Sequence, residues 1–147
     1  MKSAIRQLDR RFRAFREVAG QPRPPKGWVR AIRDALGMTS AQFARRLGIA
    51  QPSAVELEQA EREKRITLQT LERAAEALGC RLVYVLIPEK PLEETLNERA
   101  RLVAAKKMAS VEHTMRLEDQ AVRRKGEAER KLVDTLLAKP ARLWDDP

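Results

Sequence analysis

Cysteine, histidine and aromatic residues are scarce in this chain of 147 residues. The single cysteine, Cys80, has no partner for an internal disulfide, as expected of a protein in a reducing cytoplasm. The single histidine, His113, has no cysteine or carboxylate cluster at metal-ligand spacing around it, so we expect no zinc site. Aromatic residues make up 4% and charged residues 35% of the chain, which favours helices with solvated faces over a β-sandwich.

Long apolar runs and phosphate-binding loops are also missing. No apolar run approaches the length that crosses a bilayer, and the first residues lack the apolar centre of a signal peptide. No glycine-rich loop is followed by Lys-Ser or Lys-Thr, so we expect no nucleotide site. From these absences we predict a cytoplasmic protein that has no membrane association, needs no cofactor and is not an enzyme.

Positive charge is concentrated in the first third of the chain, and the whole chain carries a formal charge of +9. Residues 1–46 hold twelve basic and three acidic residues, residues 47–79 hold four and six, and residues 80–147 hold fourteen and twelve. A basic block beside a compact motif is typical of a phosphate-binding surface. An arginine-rich helix that only solvates its own surface explains the charge equally well.

The spacing of apolar residues predicts helices over most of the chain. An arginine-rich amphipathic helix over residues 3–19 is followed by the linker GQPRPPKG, whose prolines and glycines stop the helix. Four short helices are then predicted over residues 28–36, 39–47, 51–59 and 67–78, with AEREKR as a polar turn before the last. Thr39 and Gln42 have the spacing of a capping box, and Gly48 suits the end of the same helix.

The segment CRLVYVLIP, residues 80–88, is the one predicted strand, because it is rich in β-branched and aromatic residues between Gly79 and Pro88. A lone strand needs a hydrogen-bonding partner, and a second copy of the chain related by a two-fold axis would supply one. The predicted dimerisation residues are Arg81, Leu82, Val83, Tyr84, Val85, Leu86 and Ile87. The alternative is a strand covered by the C-terminal helices of the same chain.

Apolar residues keep near-helical spacing from Pro91 to Leu137, and Pro140 ends the pattern. The resulting apolar stripe is thin and needs a surface to cover it, either the rest of the chain or another protein. We therefore predict a mainly α-helical protein in four parts. These are a basic helix and linker over 1–26, a helical domain over 27–79, a dimerisation strand over 80–90 and a helical partner-binding extension over 91–147.

The segment MTSAQFARRLGIAQPSAVELE, residues 38–58, has the helix, glycine turn and second helix of a helix-turn-helix. Together with its neighbours from Trp28 to Gly79, it resembles the phage-repressor-type (xenobiotic response element, lambda-repressor-like) helix-turn-helix domain. This resemblance implies binding to an operator in double-stranded DNA, with base edges read by the start of the second motif helix. The base-reading residues would be Gln51, Ser53, Ala54 and Glu56.

Affinity for the DNA backbone is expected to come from residues around that helix. The predicted phosphate contacts are Lys26, Arg30, Arg33, Thr39, Ser40, Lys64 and Arg65, of which Thr39 and Ser40 lie at a helix start with free amides. A glutamate opposes phosphate, but Glu56 could accept a hydrogen bond from a cytosine amino group. The alternative is that Glu56, Glu58 and Glu61 solvate a helix that reads no DNA.

Longer stretches extend the resemblance to nearly the whole chain. PPKGWVRAIRDALGMTSAQFARRLGIAQPSAVELE, ITLQTLERAAEALGCRLVYVLIP, VEHTMRLEDQAV and the closing LW are similar to the family called mobile mystery protein A. That family is associated with a neighbouring partner, mobile mystery protein B, which carries a Fic domain. The resemblance therefore implies the antitoxin and autoregulatory half of a Fic-type toxin–antitoxin pair, in which transfer of AMP to a protein hydroxyl belongs to the partner.

The stretch from Thr114 to Glu118 has the Ser/Thr-x-x-x-Glu spacing of the helix that inhibits many Fic enzymes. The glutamate of that helix occupies the site needed by the γ-phosphate of ATP. The predicted toxin-binding residues are Val111, Thr114, Met115, Glu118 and Val122, with steric blocking by the extension as the alternative. Two further readings stay open: an inhibitor whose helix-turn-helix is only a scaffold, and a stand-alone phage-type repressor.

Overall fold

Helices make up most of the described chain. The computed structural model describes residues 2–112 and 121–145, with the backbone alone at 111–112 and 121–123. The helices are α1 Lys2–Ala19, α2 Trp28–Ala35, α3 Ser40–Leu47, α4 Gln51–Arg62, α5 Leu68–Ala77, α6 Leu92–Glu112 and α7 Ala121–Ala138, followed by a 3-10 helix over Pro140–Trp144. The predicted mainly helical class is confirmed.

The chain divides into two compact units. The central unit comprises Gly20–Leu86, and the terminal unit comprises Met1–Ala19 with Ile87–Pro147. The first helix and the C-terminal helices thus belong to the same unit.

The core of the central unit lies where α2 to α5 meet. Its buried apolar side chains are Val29, Phe43, Ala44, Ala54, Leu57, Ala74 and Leu78. Phe43 is completely buried, and removal of such a side chain typically costs about 3–5 kcal/mol of folding free energy. This core positions α3 and α4 against each other.

Local sequence signals set the ends of α3. The Thr39 hydroxyl accepts from the Gln42 amide at 3.2 Å, and the Gln42 side chain accepts from the Thr39 amide at 2.8 Å, so the predicted capping box is confirmed. Gly48 ends α3 with φ of 69°, a left-handed conformation that suits glycine.

Helix α4 is longer than predicted. We expected it to end near Gln59, but it continues to Arg62, and Lys64 with φ of 62° makes the turn that follows. The extra residues stay helical because Ala60 and Glu61 are buried. The segment AEREKR, residues 60–65, is therefore helical as far as Arg62, and the turn begins only after it.

The last turn of α4 anchors the start of α2. The Glu61 carboxylate accepts hydrogen bonds from the Trp28 and Val29 amides at 3.1 and 2.7 Å, which satisfies two of the free amides at that helix end. Arg23 donates to the Glu61 carbonyl at 2.8 Å. Gly27, with φ of 85°, makes the approach possible, because a Cβ there would clash with Glu61 Oε2.

The terminal unit has a core of its own between α6, α7 and the 3-10 helix. Its buried residues are Ala100, Val103, Ala104, Leu136 and Leu143. Part of the predicted C-terminal apolar stripe is therefore covered within the chain. Arg99 donates to the Leu143 carbonyl at 2.8 Å and lies 5.6 Å from the centre of the Trp144 ring, which fixes the closing Leu-Trp pair.

Helix α1 is attached to α6 through Asp9. The Asp9 carboxylate accepts from the Leu92 and Glu93 amides at 2.7 and 3.2 Å. A carboxylate at this position compensates the free amides and the positive end of the helix dipole.

The strand predicted at Arg81–Ile87 is not found, and residues 2–112 and 121–145 contain no β-strand. A strand exists only as part of a hydrogen-bonded ladder, which needs a second strand. Val83, Tyr84 and Leu86 are 73%, 70% and 85% exposed, so the segment presents apolar side chains without a cover.

The toxin-binding residues predicted from the sequence fall within or beside residues 113–120, between the end of α6 and the start of α7 in the sequence. Thr114, Met115 and Glu118 lie outside the described residues, and the side chains of Val111 and Val122 are not described.

Candidate nucleic-acid interface

The first turns of α4 divide between surface and core. Gln51, Ser53 and Glu56 are exposed, whereas Ala54 is completely buried in the core of the central unit. The prediction that Ala54 reads a base is therefore corrected: it shares a helix face with Leu57 and packs inward. Three of the four predicted base-reading side chains remain on the outer face of the helix.

The start of α4 is tied to the start of α3. Gln51 Nε2 donates to Ser40 Oγ at 3.0 Å, so a predicted base-reading residue and a predicted phosphate contact lie side by side. Pro52 lies in the first turn of α4, while Ala50 at the cap makes no side-chain hydrogen bond there. The Ser53 amide donates to the Ala50 carbonyl at 3.0 Å instead, and Pro52 has no amide hydrogen to satisfy.

Two of the three acidic residues considered on α4 point inward. Glu58 and Glu61 are 6% and 3% exposed, so the hypothesis that they only solvate the helix is wrong. Glu61 caps α2, as described above. The sequence contained a signal for this arrangement, because Glu58 and Glu61 share helical spacing with Ala54 and Leu57.

Glu58 forms a buried ion pair with Arg33 of α2. Arg33 donates through Nε to Glu58 Oε1 and through Nη2 to Glu58 Oε2, the latter at 3.1 Å. Arg33 Nη1 also donates to the Met38 carbonyl at 2.8 Å, just before α3. The hydrogen bond to Glu58 raises the pKa of Arg33 above its ordinary value, while burial acts in the opposite direction.

The buried pair removes Arg33 from the predicted phosphate contacts. Its guanidinium is occupied by a carboxylate and a carbonyl, and the residue is only 8% exposed. A paired, buried guanidinium cannot reach a phosphate without leaving a buried carboxylate unpaired, which is strongly unfavourable. We therefore assign Arg33 to the core of the central unit.

Glu56 lies among cations at the surface. Arg65 forms ion pairs with Glu56 and Glu63, and all three side chains are roughly half exposed. Hydrogen bonds from Arg65 and Gln59 hold the pKa of Glu63 below its ordinary value. The structure thus brings together Glu56, a predicted base-reading residue, and Arg65, a predicted phosphate contact.

The remaining predicted phosphate contacts differ in their exposure and in whether they form ion pairs. Lys26 and Lys64 are exposed. Arg30 is half-buried and forms an ion pair with Asp34 at 3.6 Å, one turn along α2. Arg73 was not predicted from the sequence, and it lies with Glu56 and Arg65 around a groove of about 350 Å³ beside α4.

A comparison with protein-family models matches this part of the chain. Residues 29–85 match the helix-turn-helix family model. The match is to the xenobiotic-response-element type. It spans α2 to α5 and the exposed apolar segment after them. It covers less than half of the chain. It indicates a DNA-binding transcription regulator. Neither the curated proteins nor the solved structures gave a match to this chain.

Membrane spans and metal clusters are both absent from the described part of the chain. Residues 2–112 and 121–145 contain no helix that is long and apolar enough to cross a membrane. The same residues contain no cluster of three histidine, cysteine or carboxylate side chains that could hold a metal ion.

We expect Glu58→Gln to destabilise the central unit by about 3–5 kcal/mol, because it leaves Arg33 charged, buried and without its carboxylate. The measurement is urea unfolding followed by Trp28 fluorescence in a Trp144→Phe background, so that only the central unit reports. The matched control is Glu63→Gln, which alters an exposed ion pair and should change stability by less than about 1 kcal/mol. Equal effects of the two substitutions would contradict a structural role for the buried pair.

Proposed function

We propose that this chain is a cytoplasmic DNA-binding transcription regulator that reads a double-stranded operator with the start of α4. The observation that carries the proposal is that this helix has an exposed face and a buried face with different polar residues. Gln51, Ser53 and Glu56 are exposed, while Glu58 and Glu61 are turned inward and paired. The outer face can therefore approach DNA without two of the charges that would repel it.

Phosphate binding is proposed for a set of groups around that face. The set comprises Lys26, Arg30, Thr39, Ser40, Lys64 and Arg65. At the start of α3 the capping box occupies the Thr39 and Gln42 amides, and the Ser40 and Ala41 amides between them are available to a phosphate oxygen. Ser40 contacts Gln51, so phosphate binding there would also help to orient the base-reading side chain.

Glu56 and Arg65 are proposed to change partners on DNA. In the free chain they form an exposed ion pair, and such pairs contribute only about 0–1 kcal/mol. A phosphate can therefore replace Glu56 as the ion-pair partner of Arg65 at little cost in free energy. Glu56 is then free to accept a hydrogen bond from a cytosine amino group in the major groove.

We expect the Gln51→Ala, Ser53→Ala, Glu56→Ala triple variant to lose sequence preference, because each base contact contributes about 1–3 kcal/mol of discrimination. Fluorescence anisotropy would compare DNA from upstream of its own gene with a scrambled duplex over a series of salt concentrations. The control Glu76→Ala removes one exposed carboxylate from α5 of the same unit and should keep the preference. Weak binding without preference by the wild type would leave the helix-turn-helix as a scaffold.

A homodimer is the second part of the proposal. The exposed run of Val83, Tyr84 and Leu86 offers apolar side chains and backbone groups that a second copy could pair with as a two-stranded ladder. A two-fold axis through that ladder would present two reading helices to a palindromic operator. The residues proposed for pairing are those predicted from the sequence, Arg81–Ile87.

Proline substitution along residues 83–86 tests the ladder directly. In an antiparallel pair only alternate residues point their amide towards the partner, and proline removes that amide. We expect dimerisation, measured by sedimentation velocity, to be lost at one pair of alternate positions and kept at the other. Each variant thus serves as the control for its neighbour. If all four proline variants still dimerised, strand pairing would be contradicted.

The third part of the proposal is an antitoxin role. It rests on the resemblance to mobile mystery protein A, which implies a partner with a Fic domain. The terminal unit would supply the partner-binding surface, including the stretch around Thr114 and Glu118.

We expect the chain to co-purify with the Fic-domain protein encoded beside it and to suppress AMP transfer in a reconstituted assay. Loss of inhibition in Glu118→Ala would support insertion of this carboxylate at the γ-phosphate site, whereas full inhibition would support steric blocking. Failure of the wild-type chain to bind the partner would contradict the antitoxin role and leave the stand-alone regulator.

A further inference from the structure

Helix α1 carries a one-sided row of arginines that the interface described above does not use. Its basic residues are Lys2, Arg6, Arg10, Arg11, Arg13 and Arg16, against Asp9 and Glu17. At 100° per residue, Arg6, Arg10 and Arg13 fall within about 60° of one another around the helix. We call these three residues the arginine stripe.

Two carboxylates, Asp9 and Glu93, lie beside the three guanidinium groups of the arginine stripe, which leaves a net positive charge there. Asp9 is 9% exposed and accepts from two amides at the start of α6, so its charge serves the end of that helix. Arg6 forms an exposed ion pair with Glu93 at 3.5 Å. Arg10 and Arg13 are exposed and form no ion pair within residues 2–112 and 121–145.

The arginine stripe lines an open groove within the terminal unit. The groove has a volume of about 440 Å³, and its wall also includes Arg16, Asp9 and Glu93. Guanidinium groups suit this position because each presents a planar fork of donors that binds phosphate oxygens in pairs.

We propose that the arginine stripe is a second, sequence-independent contact with the phosphate backbone of duplex DNA. The inference rests on the proposed DNA-binding function and goes beyond it, because it assigns a backbone contact to the terminal unit. Charge complementarity favours this occupant: Arg6 and Arg13 are about 10 Å apart along the α1 axis, which matches the rise of about three phosphates of one strand along the duplex axis.

The test substitutes Arg6→Gln, Arg10→Gln and Arg13→Gln together in the full chain. Glutamine removes the charge and keeps a high helix propensity, so α1 and its Asp9 contact should persist. Anisotropy would be measured over a salt series with the upstream duplex and with a scrambled duplex. The matched control is Arg101→Gln, Arg124→Gln, Arg130→Gln, which removes three exposed arginines from α6 and α7 of the same unit.

We expect the stripe variant to weaken binding to both duplexes by the same factor. The slope of log affinity against log salt should fall by about 1 for each phosphate that the variant no longer neutralises, and hence by about two to three. The control variant should keep the wild-type slope. The ratio of affinities for the two duplexes should be that of the wild type in both variants.

Two results would overturn the inference. An unchanged slope in the stripe variant would show that the stripe does not touch DNA and would leave an acidic protein surface as its partner. An equal fall of the slope in the control would show a general effect of net charge. Either result leaves the reading role of α4 intact. That role alone would be refuted if the wild type bound both duplexes equally and the stripe variant still lowered the salt slope.

Discussion

The buried ion pair between Arg33 and Glu58 is the interaction on which the central unit depends. It joins α2 to α4 across the core, and Arg33 also holds the Met38 carbonyl at the entry to α3. Glu61, one turn further along α4, holds the first amides of α2. Together these contacts decide which face of α4 is buried, and hence which face can meet DNA.

This arrangement explains how a basic chain can present an acidic helix to a polyanion. Residues 47–79 have more acidic than basic side chains, but two of those acids are compensated inside the central unit. Glu56 stays outside with Arg65 beside it. The charge that matters for DNA binding is therefore that of the outer face and not that of the segment. The arginine stripe of α1 would add backbone affinity from the terminal unit.

The parts of the fold that follow from local chemistry could be predicted from the sequence. Thr39, Gln42 and Gly48 act on residues no more than a few positions away, so their roles were readable. The burial of Glu58 and Glu61 was missed because their partners lie 25 or more residues earlier, on α2. Ala54 was misassigned because the resemblance placed base reading at the whole start of the helix, although its helical spacing with Leu57 and Glu58 indicates the inward face. The strand predicted at Arg81–Ile87 is not found, because a strand needs a hydrogen-bonding partner and residues 2–112 and 121–145 contain no other strand.

The most direct test of the division of acids on α4 is the carbon-13 NMR signal of each glutamate carboxylate, recorded as operator DNA is added to the full chain. We predict that the Glu56 signal moves, because its partner changes, and that the Glu58 and Glu61 signals stay, because Arg33 and the α2 amides keep them. Movement of all three signals would show that the buried contacts open on DNA. A Glu56 signal that does not respond to the operator would contradict reading of the DNA by this face of α4.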